Sequence, residues 1–249
     1  MMKKILLLCL LVVLVACGSD SDTSPNLSGT GQGGSLARFT IVNNQVLVLT
    51  SSSIKQYDIQ GDGSISFKNE AFLTDDLETI FPYGNNVLIG SSSAVYFLEF
   101  NDAENLQLAG TFTHFTACDP VVASGTLAYS TLRTSGCRFD NIEVIDVIDF
   151  SNINSPRQVN SIPSESPFGL AIVNDFLFVC ERGGITVFQR VGDGGLDRLT
   201  FFEIPDHLPI DIIPQEGFLI VRTDNGIYNV TYNQLGEMQV IGSVRIARG

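Results

Sequence analysis

Apolar residues along this chain fall into short runs separated by turn residues, and the runs recur about every 42 positions. Four runs mark the period: Val46-Leu47-Val48-Leu49, Val87-Leu88-Ile89, Phe176-Leu177-Phe178-Val179 and Phe218-Leu219-Ile220-Val221, with Leu127-Ala128-Tyr129 filling the gap. Each is followed by a second strand-like segment starting at Ile54, Val95, Ile142, Ile185 and Ile227, spaced by 41, 47, 43 and 42 residues. The excess in the one long interval lies in Thr134–Asn141. A segment ending in turn residues precedes each run, and a further strand follows each second segment, as at Ser64–Asn69, Leu106–Phe112 and Leu199–Ile204. Turn clusters every 8 to 12 residues without an amphipathic helix predict an all-β protein. A repeat of this length with four strands per unit predicts propeller blades.

The runs VLVL, FLFV and FLIV are apolar at every position rather than alternately. A strand of that kind has both faces covered, which blades stacked around a ring achieve and a two-layer sandwich does not. Five four-stranded blades fit between about residues 36 and 246. The first opens with an inner strand and the last ends with Met238–Ile246 as its outer strand. Ring closure is therefore expected to rest on packing between blades one and five.

The N-terminal end has a different pattern. Lys3-Lys4 precede an almost unbroken apolar run over residues 5–15, then Ala16 and Cys17. The run is too short to span a bilayer and reads as a signal peptide. Leu14-Val15-Ala16-Cys17 resembles the lipobox of bacterial lipoproteins, which implies diacylation of Cys17 and loss of residues 1–16. Removing Lys3 and Lys4 takes the formal charge from −13 to −15. So acidic a chain repels nucleic-acid phosphates and anionic lipid alike, leaving the acyl groups on Cys17 as the expected membrane contact. Residues 17–35 are Gly-, Ser-, Asp- and Thr-rich, the composition of a flexible tether, with a reach of roughly 60 Å when extended. The organisation expected is thus signal peptide 1–16, lipidated tether 17–35 and propeller 36–249. The expected location is the cell envelope, at the outer membrane, on its periplasmic or its surface side. Gly18 stands where some diderm bacteria place an inner-membrane retention aspartate, and Asp20 and Asp22 resemble surface-export signals.

Asn141–Val159 (NIEVIDVIDFSNINSPRQV) resembles the LVIVD repeat: an apolar strand ending in Asp149, a turn containing Ser151 and Pro156, then another strand. The stretches CDPVV at Cys118, AYSTLRTSGC at Ala128, FGLAI at Phe168, LFVC at Leu177 and GITVF at Gly184 resemble LVIVD-repeat lipoproteins of Bacteroidetes. The resemblance covers blades three to five best, and it implies a cell-surface propeller with no established activity.

Candidate chemistry is sparse. Cys118, Cys137 and Cys180 remain after Cys17, and export makes disulfides admissible. A hairpin brings Cys118 and Cys137 to one end of blade three, where a bond would close a loop worth about 3 kcal/mol; Cys137–Cys180 is the rival pairing. His114 and His207 each precede an inner-strand aspartate, Asp119 and Asp211, two blades apart, so neither a metal site nor any cofactor is expected. Asp58–Gly63 and Gly192–Gly195 read as hairpin turns, not calcium loops. Asp119, Arg133, Glu181, Arg182 and Asp211 fall on one predicted face. They are expected either to pair with one another or to form the rim of a partner site at the channel mouth. With no nucleophile elbow, P-loop or zinc motif in the sequence, the leading expectation is a lipid-anchored, non-catalytic module binding an envelope protein or glycan. A hydrolase or lyase at the channel mouth is the alternative.

Overall fold

The computed structural model describes residues 34–74, 76–114, 120–133, 143–205 and 207–246. They form twenty antiparallel strands in five four-stranded sheets, a five-bladed β-propeller. Blade one contains β1 (Phe39–Val42), β2 (Gln45–Leu49), β3 (Ser53–Ile59) and β4 (Ile65–Phe72). Blade two contains β5 (Leu77–Tyr83), β6 (Asn86–Ser91), β7 (Ala94–Phe100) and β8 (Leu106–Thr113). Blade three contains β9 (Val121–Ser124), β10 (Leu127–Arg133), β11 (Glu143–Asp149) and β12 (Arg157–Pro163). Blade four contains β13 (Leu170–Val173), β14 (Phe176–Glu181), β15 (Gly184–Val191) and β16 (Gly195–Glu203). Blade five contains β17 (Pro209–Gln215), β18 (Phe218–Thr223), β19 (Gly226–Tyr232) and β20 (Met238–Arg245).

Turn chemistry sets these hairpins. Asn43 and Asn44 between β1 and β2 both have positive φ, 50° and 60°, as a two-residue type I′ turn requires and as Asn tolerates better than most side chains. A second device recurs in all five blades: a register shift between the third and fourth strands, at Gln56/Tyr57, Phe97/Leu98, Val147/Ile148, Val187/Phe188 and Asn229/Val230. Such bulges bend and further twist the strand that carries them. They also fix the true repeat frame. Ile145, opposite Thr131, is the blade-three equivalent of Ile185, opposite Cys180. The sequence frame, which began that segment at Ile142, was three residues early.

Four apolar cores form among the described residues, one per junction. Leu47, Ile54, Ile80 and Ile89 fill the first, Phe97, Val121, Ala128 and Phe150 the second. Tyr129, Ile145, Leu177 and Val179 fill the third, and Phe178, Ile185, Ile212 and Val221 the fourth. No fifth core joins blade five to blade one among these residues. Phe39 is 66% exposed on the free face of blade one, and Val244 is 67% exposed on that of blade five. The expected closure by packing of these two blades is therefore not what the structure shows.

The link that does reach across comes from the chain ahead of β1. Gly34 and Ser35, assigned to the tether by composition, are buried. Ser35 Oγ donates to Asp211 Oδ1 at 3.0 Å and accepts from the Leu170 backbone N–H at 2.9 Å. It thereby bridges the inner strands of blades four and five.

Candidate functional site

The second strand of each blade ends, and the inner strand begins, on one face of the propeller, and the described candidate residues lie at that face. They do not share one site. Arg133, at the end of β10, lays its guanidinium 4.1 Å from the centre of the Phe168 ring, a cation–π arrangement that also shields it from water. Burial lowers the Arg133 pKa, and the charges of Glu143 and Glu78 oppose that shift. Phe168 is held by its own carbonyl, which accepts from Thr131 Oγ1 at 2.7 Å.

Glu181, at the end of β14, is turned inward. Its carboxylate accepts from Thr186 Oγ1, from Ser164 Oγ and from the Glu165 backbone N–H. It ties β14 and β15 to the segment leaving blade three, which is a structural task. Arg182, one residue on, is exposed. Asp211 is only 7% exposed, so it lies beneath the mouth rather than on its rim. Its Oδ1 accepts from Ser35 Oγ and from the Ile212 N–H, and the Leu36 N–H also bonds to the carboxylate. Gly34 and Gly169 line the socket, and a Cβ on either would strike the carboxylate. Burial raises the Asp211 pKa, with these hydrogen bonds and Arg222 pulling the other way. Asp119 lies outside the described residues.

Cys180 is a buried free thiol facing the core of blades four and five. Burial pushes its pKa well up, and neighbouring Asp211 adds to the shift. The Cys118–Cys137 pair and Cys17 lie outside the described residues.

The two histidines are in separate grooves. Blades fan apart with radius, and grooves open at the outer ends of three successive junctions. The one between blades two and three is about 530 Å³, with His114, Phe112, Asp146 and Gln158 in its wall. The one between blades four and five is about 410 Å³ and holds His207, 3.9 Å from Asp224 and against the Tyr228 ring. The groove between blades three and four is about 300 Å³. Their recurrence makes them a property of the repeat rather than of one site. Among the described residues no group of three or more His, Cys, Asp or Glu could hold a metal ion.

No family model matches the sequence. No curated protein matches it either. Solved structures do share the fold. A protein from Lactobacillus plantarum is 15% identical with a TM-score of 0.66, over 82% of this chain and 69% of that one. The periplasmic gluconolactonase PpgL of Pseudomonas aeruginosa is 15% identical with a TM-score of 0.64, over 82% and 68%. A functionally unknown protein from Desulfotomaculum acetoxidans is 13% identical with a TM-score of 0.68, over 86% and 70%. At these identities the likeness is one of fold alone. Each of those chains is longer than the part matched here by nearly half.

Sequence reasoning missed Ser35. It stands in a run of Gly and Ser that has the composition of a linker, and its partners lie 135 and 176 residues away. The one available signal was the pair of glycines, Gly34 and Gly169, at positions where a backbone closely approaches another group.

Proposed function

We propose that this chain is a lipid-anchored protein of the bacterial cell envelope, at the outer membrane, whose propeller is a non-catalytic binding or scaffold module for a protein or glycan. The lipobox-like end at Cys17 and the resemblance to LVIVD-repeat lipoproteins support the anchor and the compartment. The observation that carries the non-catalytic reading is the state of the channel mouth. Proton-transfer catalysis there needs a carboxylate within reach of substrate. Asp211 is instead capped by Ser35 and the Leu36 N–H, and Glu181 is committed to Thr186 and Ser164. Of the described candidate residues, those left facing outward are Arg182 and the Arg133–Phe168 stack, groups suited to holding a partner.

Two measurements test this. In a bacterial host that processes lipoproteins, the natural chain is expected to take up labelled palmitate and partition into detergent, and Cys17→Ser to do neither; equal behaviour of the two removes the anchor. Purified protein is expected to leave gluconolactone hydrolysis at its uncatalysed rate. Turnover that Asp211→Asn abolishes would restore the enzyme reading.

A further inference from the structure

We propose that the seam between blades five and one is a docking site for a β-sheet polypeptide that supplies further four-stranded blades and so completes a larger ring. This goes beyond the binding-module reading and does not depend on it.

The first observation is positional. In the core between blades three and four, Leu177, Val179 and Phe188 of blade four, with Leu170, face blade three. The shared register places Val46, Val48, Tyr57 and Phe39 at the same positions on the free face of blade one. On the other side of blade four, Phe176, Phe178 and Ile185 face blade five. Their blade-five equivalents, Phe218, Ile220 and Ile227, lie on its free face, with Arg222 in the place of Cys180. Each free face is thus one half of a junction that the protein builds four times elsewhere. The two halves are of opposite kind, one receiving a preceding blade and one a following blade. Charges are few: Lys55 and its cross-strand neighbour Glu70 on blade one, Arg222 on blade five.

The second observation sets the size of the occupant. This chain matches 68–70% of the length of three longer propeller chains over 82–86% of its own length. The remaining 30% corresponds to about two more units of this repeat length. A second copy of the chain carries five blades, too many for that space. The segment ahead of the fold does not suit either, since residues 18–33 hold a single aliphatic side chain, Leu27. Sheet faces pack best on other sheet faces, about 10 Å apart, so the fitting partner is another run of blades.

The chain contains no tryptophan, which makes one introduced tryptophan an unambiguous reporter. Phe39→Trp and Ile227→Trp are compared in the natural chain and in the chain extended at its C-terminus by a copy of residues 77–163, or of residues 120–203. In the natural chain both tryptophans are expected to emit as water-exposed and to be freely quenched by acrylamide. In at least one extended chain both are expected to shift to the blue and to be quenched several-fold less. Protection in the natural monomer overturns the proposal in favour of closure within the chain. Protection that appears only in a dimer overturns it in favour of a second copy. Exposure that persists in both extended chains, with each cooperatively folded by circular dichroism, overturns it outright.

Discussion

Blades four and one are built from strands that look alike and are buried differently. In β14, Phe176-Leu177-Phe178-Val179 is buried at every position, because blades three and five cover both faces. In β2, Val46-Leu47-Val48-Leu49 is equally apolar, yet only Leu47 and Leu49 are buried, while Val46 and Val48 remain half-exposed. β18 behaves like β2, with Leu219 and Val221 buried and Ile220 half-exposed. A continuous apolar run states that both faces are fit for burial. Whether a neighbour is there to bury them is a matter of tertiary structure, and for the outermost blades the described residues provide it on one side only.

Aspartate at matched positions gives the most severe test of that contrast. Val179 is fully buried and Val48 is its half-exposed equivalent. Val179→Asp is expected to cost at least about 4 kcal/mol by burying an unpaired charge, enough to leave a marginal domain unfolded. Val48→Asp is expected to stay within about 1 kcal/mol, since its carboxylate can reach water. Urea denaturation of the two variants decides it, and comparable losses would mean that the face of blade one is covered in solution.

Glycines sharpen the same comparison at smaller scale. Gly110 in β8 receives the turn of blade three, and a Cβ there would overlap the Ile153 carbonyl and press on Pro156. Gly110→Ala is therefore expected to cost about 1–3 kcal/mol through overpacking between blades. Gly242, in the outer strand of blade five, has nothing within 4 Å of its would-be Cβ. Gly242→Ala is expected to be neutral or to stabilise by up to about 1 kcal/mol, through the unfolded state. Paired thermal melts measure both.

The smallest effects are in pH dependence, where an interior and a surface carboxylate pull in opposite directions. The Asp211 pKa is raised above its ordinary 3.8, chiefly by burial, so the folded state holds that proton more tightly than the unfolded state does. Its contribution is fullest below that value and is lost as pH climbs through the raised one. Asp211→Asn is thus expected to gain stability relative to the natural chain between acid and neutral pH. Asp149 is lowered from 3.8, first by the Ser151 backbone N–H and then by the Ser151 and Arg157 side chains. Its contribution is present at neutral pH and disappears as pH falls through the lowered value. Asp149→Asn is expected to lose stability at neutral pH and to converge on the natural chain in acid. Denaturation midpoints across pH 3 to 7, a range of roughly the usual carboxylate titration, separate the two.

The architecture was legible in the sequence because it repeats: apolar runs, turn residues and period together specify five sheets of four strands. The frame of blade three was misread because Ile142, Val144, Ile145 and Val147 offer apolar residues in both registers. Only pairing with β10 and the shared bulge choose between them. At the mouth, residue type and strand position put Arg133, Glu181, Arg182 and Asp211 on one face. They could not tell which groups were already engaged. Glu181 depends on Ser164 and Thr186, and Asp211 on a serine at the far end of the chain. Such pairings are set by the way the ring curls, and no local pattern encodes them.

The Ser35 latch also determines where tension enters the molecule. Gly34, the first described residue, lies beside the inner strands of blades four and five and not at an outer strand. A pull on the N-terminal end is therefore delivered near the axis of the ring. It is expected to load the Ser35 contacts to Leu170 and Asp211 before any blade is peeled from its neighbour, which would make those two hydrogen bonds a mechanical fuse ahead of the propeller.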